Sequence, residues 1–76
     1  MVLEVTQKRN GMQKVVLTDA QGRAVRFDGS ETDFNGHECA LWGLVSFLAE
    51  KDQQALSRLA SAFPEGLLNF GGRREF

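Results

Sequence analysis

The chain has little of what small domains use for covalent or metal-based stabilisation. Its 76 residues include one cysteine, Cys39, one histidine, His37, one proline and no tyrosine. A single cysteine excludes an internal disulfide, and one Cys with one His is too few for a metal site within one chain. The composition therefore indicates neither a metal nor another cofactor. Because small domains without such supports often associate, we expect a homodimer.

Neither a strong net charge nor a membrane-length apolar run is present. The formal net charge is −1, which gives no general attraction to nucleic acid or to a membrane surface. The longest apolar stretch, residues 39–49, is shorter than the roughly 20 residues that cross a bilayer. The amino terminus lacks the basic and then apolar layout of a secretory signal. These features predict a cytoplasmic protein.

The first third of the sequence has the pattern of paired β-strands. Asn10-Gly11 separates two strand-like runs, and this dipeptide favours a two-residue type I′ turn that pairs Val5 with Val16. A second turn at residues 19–22 adds a third strand, with Val16 opposite Val25. The two registers predict one apolar face, made of Leu3, Val5, Met12, Val16, Val25 and Phe27. Val15 and Leu17 then share the polar face, either as ordinary exposed residues or as a patch for another chain.

The apolar run at residues 39–49 predicts a helix covered on more than one side. Asn35 and Glu38 have capping-box spacing, so we expect this helix to span residues 36–51. At 100° per residue its buried face comprises Ala40, Leu41, Leu44, Val45, Phe47 and Leu48. Trp42 lies on the opposite flank. It either packs beneath the next helix or anchors a protein interface, where tryptophan is enriched.

A second helix is predicted at residues 53–63, with Asp52 as its cap. Leu56, Leu59, Ala60 and Phe63 follow the spacing of one helical face. Leu67, Leu68 and Phe70 are expected either to fold back on the core or to extend an interface. Residues 71–76 are expected to form a flexible tail. The predicted fold is α+β, in the order β-β-β-α-α, with a three-stranded antiparallel meander and two helices on one face. Residues 1–70 form its single domain.

No arrangement of residues indicates catalysis. His37, Glu38 and Cys39 are the only cluster of reactive side chains, but consecutive helical residues diverge by about 100°. A Cys–His nucleophile pair needs direct hydrogen-bond contact and a third orienting group. His37 is therefore interpreted as a half-buried packing residue and Cys39 as a small apolar one. We expect no enzyme activity and no catalytic residues.

By elimination, the sequence predicts a non-catalytic protein-binding module. We expect an inhibitor or regulator that acts on another protein or protein complex, a class that includes the small proteins that mobile elements direct at host proteins. The residues expected to meet the partner are an acidic strip together with the tryptophan: Glu31, Asp33, Glu38, Trp42, Glu50 and Asp52. The alternative is a small nucleic-acid-binding regulator that uses the basic first hairpin, through Lys8, Arg9 and Lys14.

Overall fold

The computed structural model describes residues 1–30, 39–67 and 70–76, apart from the side chain of Asn10. In chain order the elements are β1 (Val2–Gln7), β2 (Met12–Thr18), β3 (Ala24–Ser30), α1 (Ala40–Lys51), α2 (Gln53–Ala62) and β4 (Gly72–Glu75). The strands form one antiparallel sheet in the order β3-β2-β1-β4. Helix α1 packs on this sheet and contacts α2. The predicted α+β class is confirmed, with one more strand than expected.

Both hairpin loops contain three residues where the sequence pattern predicted two. In the first loop, the Lys8 N–H donates to the Met12 carbonyl at 2.8 Å, and Arg9–Gly11 form a single 3-10 turn. In the second, the Asp19 N–H donates to the Arg23 carbonyl at 2.9 Å. Gly11 and Gly22 have φ values of 71° and 84°. Each loop thus places a glycine in the left-handed region that three-residue hairpins require.

Because each loop has one residue more than predicted, the side chains of β2 point to the opposite faces of the sheet from those predicted. Val5 pairs with Val15, and Leu17 pairs with Val25. Val15 and Leu17 are consequently in the core, at 0% and 4% exposure, while Met12 is 42% exposed. The expectation that Met12 and Val16 belong to the apolar face was wrong. A shift of one residue moves every side chain of a strand to the other face.

The faces of β1 and β3 agree with the prediction. Leu3 and Val5 are buried, and Phe27 packs against the core from β3. The register of β2 was predicted wrongly because both faces of this strand carry apolar residues. The alternation of apolar and polar residues therefore did not show which face is buried. The observed register also puts Gln13 on the inner face, where it is fully buried. Among the described residues, neither polar atom of its side-chain amide has a hydrogen-bond partner.

Helix α1 has the buried side that its periodicity predicted. Leu41, Leu44 and Leu48 are buried against the sheet and α2. Gly43 permits the close approach, because a Cβ built at this position would lie 3.2 Å from Phe27 Cδ1. The described helix starts at Ala40, with Cys39 as its N-cap residue. The predicted start at residue 36 and the Asn35–Glu38 capping box lie outside the described residues.

Helix α2 follows α1 after a single intervening residue. The Asp52 carboxylate accepts a hydrogen bond from the Ala55 N–H at 3.0 Å, which confirms the predicted cap. Leu59 and Phe63 are buried, whereas Ala60, which was also assigned to the apolar face, is exposed. Leu67 and Phe70 pack against the core, as predicted. Leu68 lies outside the described residues.

The predicted flexible tail is instead an edge strand. Gly72–Glu75 pair with β1, and the Phe76 N–H donates to the Met1 carbonyl at 2.8 Å. Arg74 holds this strand to α2, since its guanidinium donates to the Ala62 carbonyl at 2.8 Å and to Glu65 Oε1 at 2.6 Å. The single domain therefore includes residues beyond 70.

Candidate protein-binding surface

Trp42 lies on the outer side of α1 and is 48% exposed. Its neighbour Leu41 faces inward and is buried, because consecutive side chains diverge by about 100° around a helix. The interpretation that Trp42 packs beneath α2 is therefore wrong. The largest side chain of the protein has much of its surface in water.

An apolar groove of about 330 Å³ lies beside Trp42, where α1, α2 and the segment after α2 meet. The described residues that line it are all hydrophobic: Val45, Leu56, Leu59, Ala60, Phe63 and Leu67. Val45 follows Trp42 by three residues, so the two side chains are neighbours on the surface of α1. The groove and the tryptophan consequently form one continuous apolar region.

Small side chains extend this region along α1. Ser46 and Ala49 are exposed and follow Trp42 by four and seven residues, on the same side of the helix. We call the whole area the Trp42 surface, defined by Trp42, Val45, Ser46, Ala49, Leu56 and Ala60. The sequence predicted both helices that carry it. It did not predict the groove, because the spacing of Val45 and Ala60 is typical of a covered helical face.

Two acidic residues of the predicted strip, Glu50 and Asp52, lie in the described part of the chain, and neither lines the groove. Asp52 is occupied as the cap of α2. Glu50 is exposed, and within the described part of the chain it has neither an ion-pair nor a hydrogen-bond partner. Glu31, Asp33 and Glu38 lie outside the described residues. Of the six residues predicted to meet a partner, Trp42 and Glu50 are thus the two whose described side chains are both exposed and uncommitted.

The basic first hairpin is partly neutralised by an acidic residue of β3. Lys8 Nζ lies 2.8 Å from Asp28 Oδ1, and Arg26 Nε lies 2.8 Å from Asp28 Oδ2. These hydrogen bonds, first from Arg26 and then from Lys8, lower the pKa of Asp28 to about 2. Arg9 and Lys14 are left, with no ion-pair partner among the described residues. Lys8, Arg9 and Lys14 therefore do not form a single uncompensated cluster.

A second cavity, of about 340 Å³, lies between the β2–β3 turn and the end of α1. Its apolar lining comes from Met1, Leu17, Val25, Phe47 and Leu48, and its polar residues are Asp19, Arg23, Lys51 and Asp52. The Asp19 carboxylate accepts hydrogen bonds from the Arg23 N–H, from Arg23 Nε and from the Gln21 N–H. Of these contacts, the hydrogen bond from the Arg23 N–H makes the largest contribution to lowering the pKa of Asp19. Asp19 is thus committed to the turn, and Asp52 to the cap of α2.

The described residues offer no reactive centre. Cys39 is buried at 2% exposure and carries a free thiol, which agrees with its interpretation as a small apolar residue. His37 lies outside the described residues, so its predicted packing role stays a prediction. Within residues 1–30, 39–67 and 70–76, no three His, Cys, Asp or Glu side chains are grouped so that they could hold a metal ion.

Comparisons with known proteins do not assign the chain. No protein-family model, curated protein or solved structure matches it. Neither of the two helices in the described part of the chain is long and apolar enough to cross a lipid bilayer. The geometry of the Trp42 surface is consequently the strongest available guide to function.

Proposed function

We propose that the protein is a non-catalytic binding module, an inhibitor or regulator, which docks on another protein through the Trp42 surface. The observation that carries this proposal is the 48% exposure of Trp42 next to an apolar groove. Tryptophan is among the residues that contribute most to binding energy at protein interfaces. Its exposure on a small domain leaves a large apolar area uncovered, which is typical of an interaction site.

The arrangement suits a partner that both receives the indole ring and fills the groove. Trp42 projects from α1, while the groove beside it is walled by Leu56 and Phe63. The partner would therefore bury Trp42 in a pocket of its own and insert an apolar side chain between α1 and α2. Such paired knobs and pockets place the strongest contacts at the centre of an interface, where water is excluded.

Charge has a secondary role in this proposal. The groove lining contains no charged residue, and Glu50 is the nearest uncommitted acidic side chain on α1. A basic residue on the partner facing Glu50 would mainly increase the association rate and restrict the choice of partner. We therefore expect substitutions of Trp42 to change affinity strongly and charge reversal of Glu50 to change it weakly.

The test is affinity capture from the source cells with three matched pairs of immobilised variants. Trp42→Ala is compared with Met12→Ala, which removes the other large exposed apolar side chain, on the far face of the sheet. Ala60→Arg obstructs the groove and is compared with Ser61→Arg, the next position on the same helix. Glu50→Lys is compared with Lys51→Glu. Circular dichroism confirms that each variant is folded.

The proposal predicts that a partner held by the wild type is lost with Trp42→Ala and Ala60→Arg and kept with Met12→Ala and Ser61→Arg. Retention of the same partner by Trp42→Ala and Ala60→Arg, with both variants folded, would contradict it. Salt-dependent binding of mixed oligonucleotides that is lost in Lys14→Ala with Arg9→Ala would favour the nucleic-acid alternative.

A further inference from the structure

The sheet has two edge strands, β3 and β4, and their outward-facing backbone groups follow from the pairing pattern. The Met1 ammonium donates to the Phe76 carbonyl at 3.0 Å, and the Phe76 N–H donates to the Met1 carbonyl at 2.8 Å. In an antiparallel pair, bonded and non-bonded residue pairs alternate. Residues 72, 74 and 76 therefore bond to β1, and the N–H and C=O groups of Arg73 and Glu75 point away from it. Within the described part of the chain, no strand pairs with this outer edge.

The side chains at the two outward positions are oppositely charged. Arg73 and Glu75 lie on the sheet face opposite the helices, because Arg74 between them faces α2. Both are exposed, and neither has an ion-pair partner among the described residues. Glu4 pairs across β1 with Arg73, and Val2 pairs with Glu75. An exposed edge that presents one cation and one anion is self-complementary in charge.

We propose that two copies of the chain associate along β4, antiparallel, with Arg73 opposite Glu75 of the partner subunit. The two-fold symmetry of such a pair repeats the contact, so that Glu75 faces Arg73 of the partner subunit. The outward N–H and C=O groups of both residues then complete an eight-stranded sheet. Across its outer face the charges alternate from Glu4 to Arg73 and on to Glu75 of the partner subunit.

Charge selects this register over its neighbours. A shift by two residues in one direction puts Arg73 opposite Arg73 of the partner subunit. A shift in the other direction puts Glu75 opposite Glu75 of the partner subunit. Like charges directly opposite each other destabilise an antiparallel pair, whereas opposite charges stabilise it. The proposed register also places Arg74 opposite Arg74 of the partner subunit, on the other face of the sheet. There Glu65 lies 2.6 Å from the guanidinium within each chain and compensates its charge.

The other edge does not offer the same contact. Cys39 already pairs with Ser30 at the end of β3, which leaves residues 24–28 for a second chain. Two-fold pairing over these five residues puts Arg26 opposite Arg26 of the partner subunit. Asp28 is already bound to Arg26 and Lys8 within one chain. The self-complementary edge is therefore β4, and it is separate from the Trp42 surface.

The test is sedimentation equilibrium of the full chain over a range of concentrations up to about 1 mM, where even weak dimers are populated. The wild type is expected to approach twice its monomer mass of 8.4 kDa. Arg73→Glu and Glu75→Arg should each weaken self-association about tenfold or more, since two contacts per dimer become repulsive. The double variant R73E/E75R should recover association, because it exchanges the two charges.

A mixing experiment separates this register from general charge effects. Arg73→Glu carries two acids at the edge and Glu75→Arg carries two bases, so an equimolar mixture should form a heterodimer tighter than either homodimer. Arg9→Glu makes the same change of charge away from the edge and should associate as the wild type does. A monomer at about 1 mM, unchanged association of the single variants, or failure of the mixture to associate would each overturn the proposal. Loss of the dimer in Trp42→Ala with retention in Arg73→Glu would assign it to the Trp42 surface instead.

Discussion

The aromatic residues near the carboxyl-terminal end of α2 and the tryptophan on the outer side of α1 differ in how far other side chains cover them. At the carboxyl-terminal end, the Phe63 ring meets Phe70 at 4.8 Å and Phe76 at 6.5 Å between centroids. The Arg74 guanidinium lies 4.6 Å from the Phe63 centroid and 4.8 Å from that of Phe70. On the outer side of α1, Trp42 is 48% exposed near the groove that Phe63 also lines.

The two groups of residues therefore differ in how much they contribute to the stability of the fold. The Phe63 cluster, made of Phe63, Phe70, Phe76 and Arg74, joins the end of α2 to the last strand. The Trp42 surface contributes little to that junction and remains available to a partner. The proposed binding function rests on this exposed apolar side chain.

The largest expected effect compares two residues of the same helix. Leu44→Ala removes a side chain that is fully buried between the sheet and α2, and it should lower the free energy of unfolding by about 2–5 kcal/mol. Trp42→Ala should lower it less, by about 1–2 kcal/mol, because about half of that side chain is already in water and only the buried half is lost. Urea denaturation followed by circular dichroism measures both values. Equal losses for the two variants would remove the distinction between core and surface on α1.

Removing the Arg74 contacts tests whether the residues around Phe63 stabilise the fold. Arg74→Met keeps an apolar stem over Phe63 and Phe70 but removes the bonds to the Ala62 carbonyl and Glu65. The expected loss is about 1–2 kcal/mol, because hydrogen bonds to charged groups are strong but the Arg74 side chain is 36% exposed. Arg73→Met is the matched control, since that side chain is exposed on the other face. Unfolding free energies that agree for the two variants would contradict the proposed role of Arg74.

Gln13 sharpens the comparison, because it is a polar residue inside the core. Replacing it with leucine removes a buried amide that has no hydrogen-bond partner in the described part of the chain, and this should stabilise the fold by about 1–2 kcal/mol. Gln7 pairs with Gln13 across the strands but is exposed, so Gln7→Leu should change stability by less than about 0.5 kcal/mol. Similar effects of both substitutions would support the register in which Met12, and not Gln13, faces the core.

The smallest expected effect is a dependence of stability on acid. The pKa of Asp28 is lowered from its ordinary value of 3.8 to about 2, because Arg26 and Lys8 bind the carboxylate. The unfolded chain therefore takes up a proton first, and this contribution to stability is present above pH 3.8 and lost as the pH falls towards 2. Thermal midpoints measured across this range should fall less steeply in Asp28→Asn than in the wild type. Parallel curves would show that the Asp28 contacts do not stabilise the fold.

The parts of the fold that one strong pattern specifies could be predicted from the sequence. The buried side of α1, the Asp52 cap, and the inner faces of β1 and β3 all follow from local periodicity and capping chemistry. Local signals failed for β2, since Gln13, Val15 and Leu17 compete with Met12 and Val16 for the core. Only the loop lengths decide between them, and Asn10-Gly11 closes a three-residue loop here.

The long-range features could not be predicted in the same way. Strand β4 contains Gly72, Arg73, Arg74 and Glu75, which have low strand propensity, and it pairs with residues at the other end of the chain. Its position depends on the contacts that the Arg74 guanidinium makes with the rings of Phe63 and Phe70. For the candidate site, the sequence singled out Trp42 but did not decide whether it is buried or exposed. Packing beneath α2 and exposure to solvent are both compatible with a helix that is apolar all round.

The most direct test of the account is the solvent exposure of Trp42, the only tryptophan in the chain. Acrylamide quenching of its fluorescence can be compared between the native protein and the protein in urea. We expect the quenching constant of the native protein to be about half that of the unfolded chain, in line with the 48% exposure of the side chain. A native emission shifted to the blue and almost insensitive to acrylamide would mean that Trp42 is buried, and it would contradict the proposed binding surface.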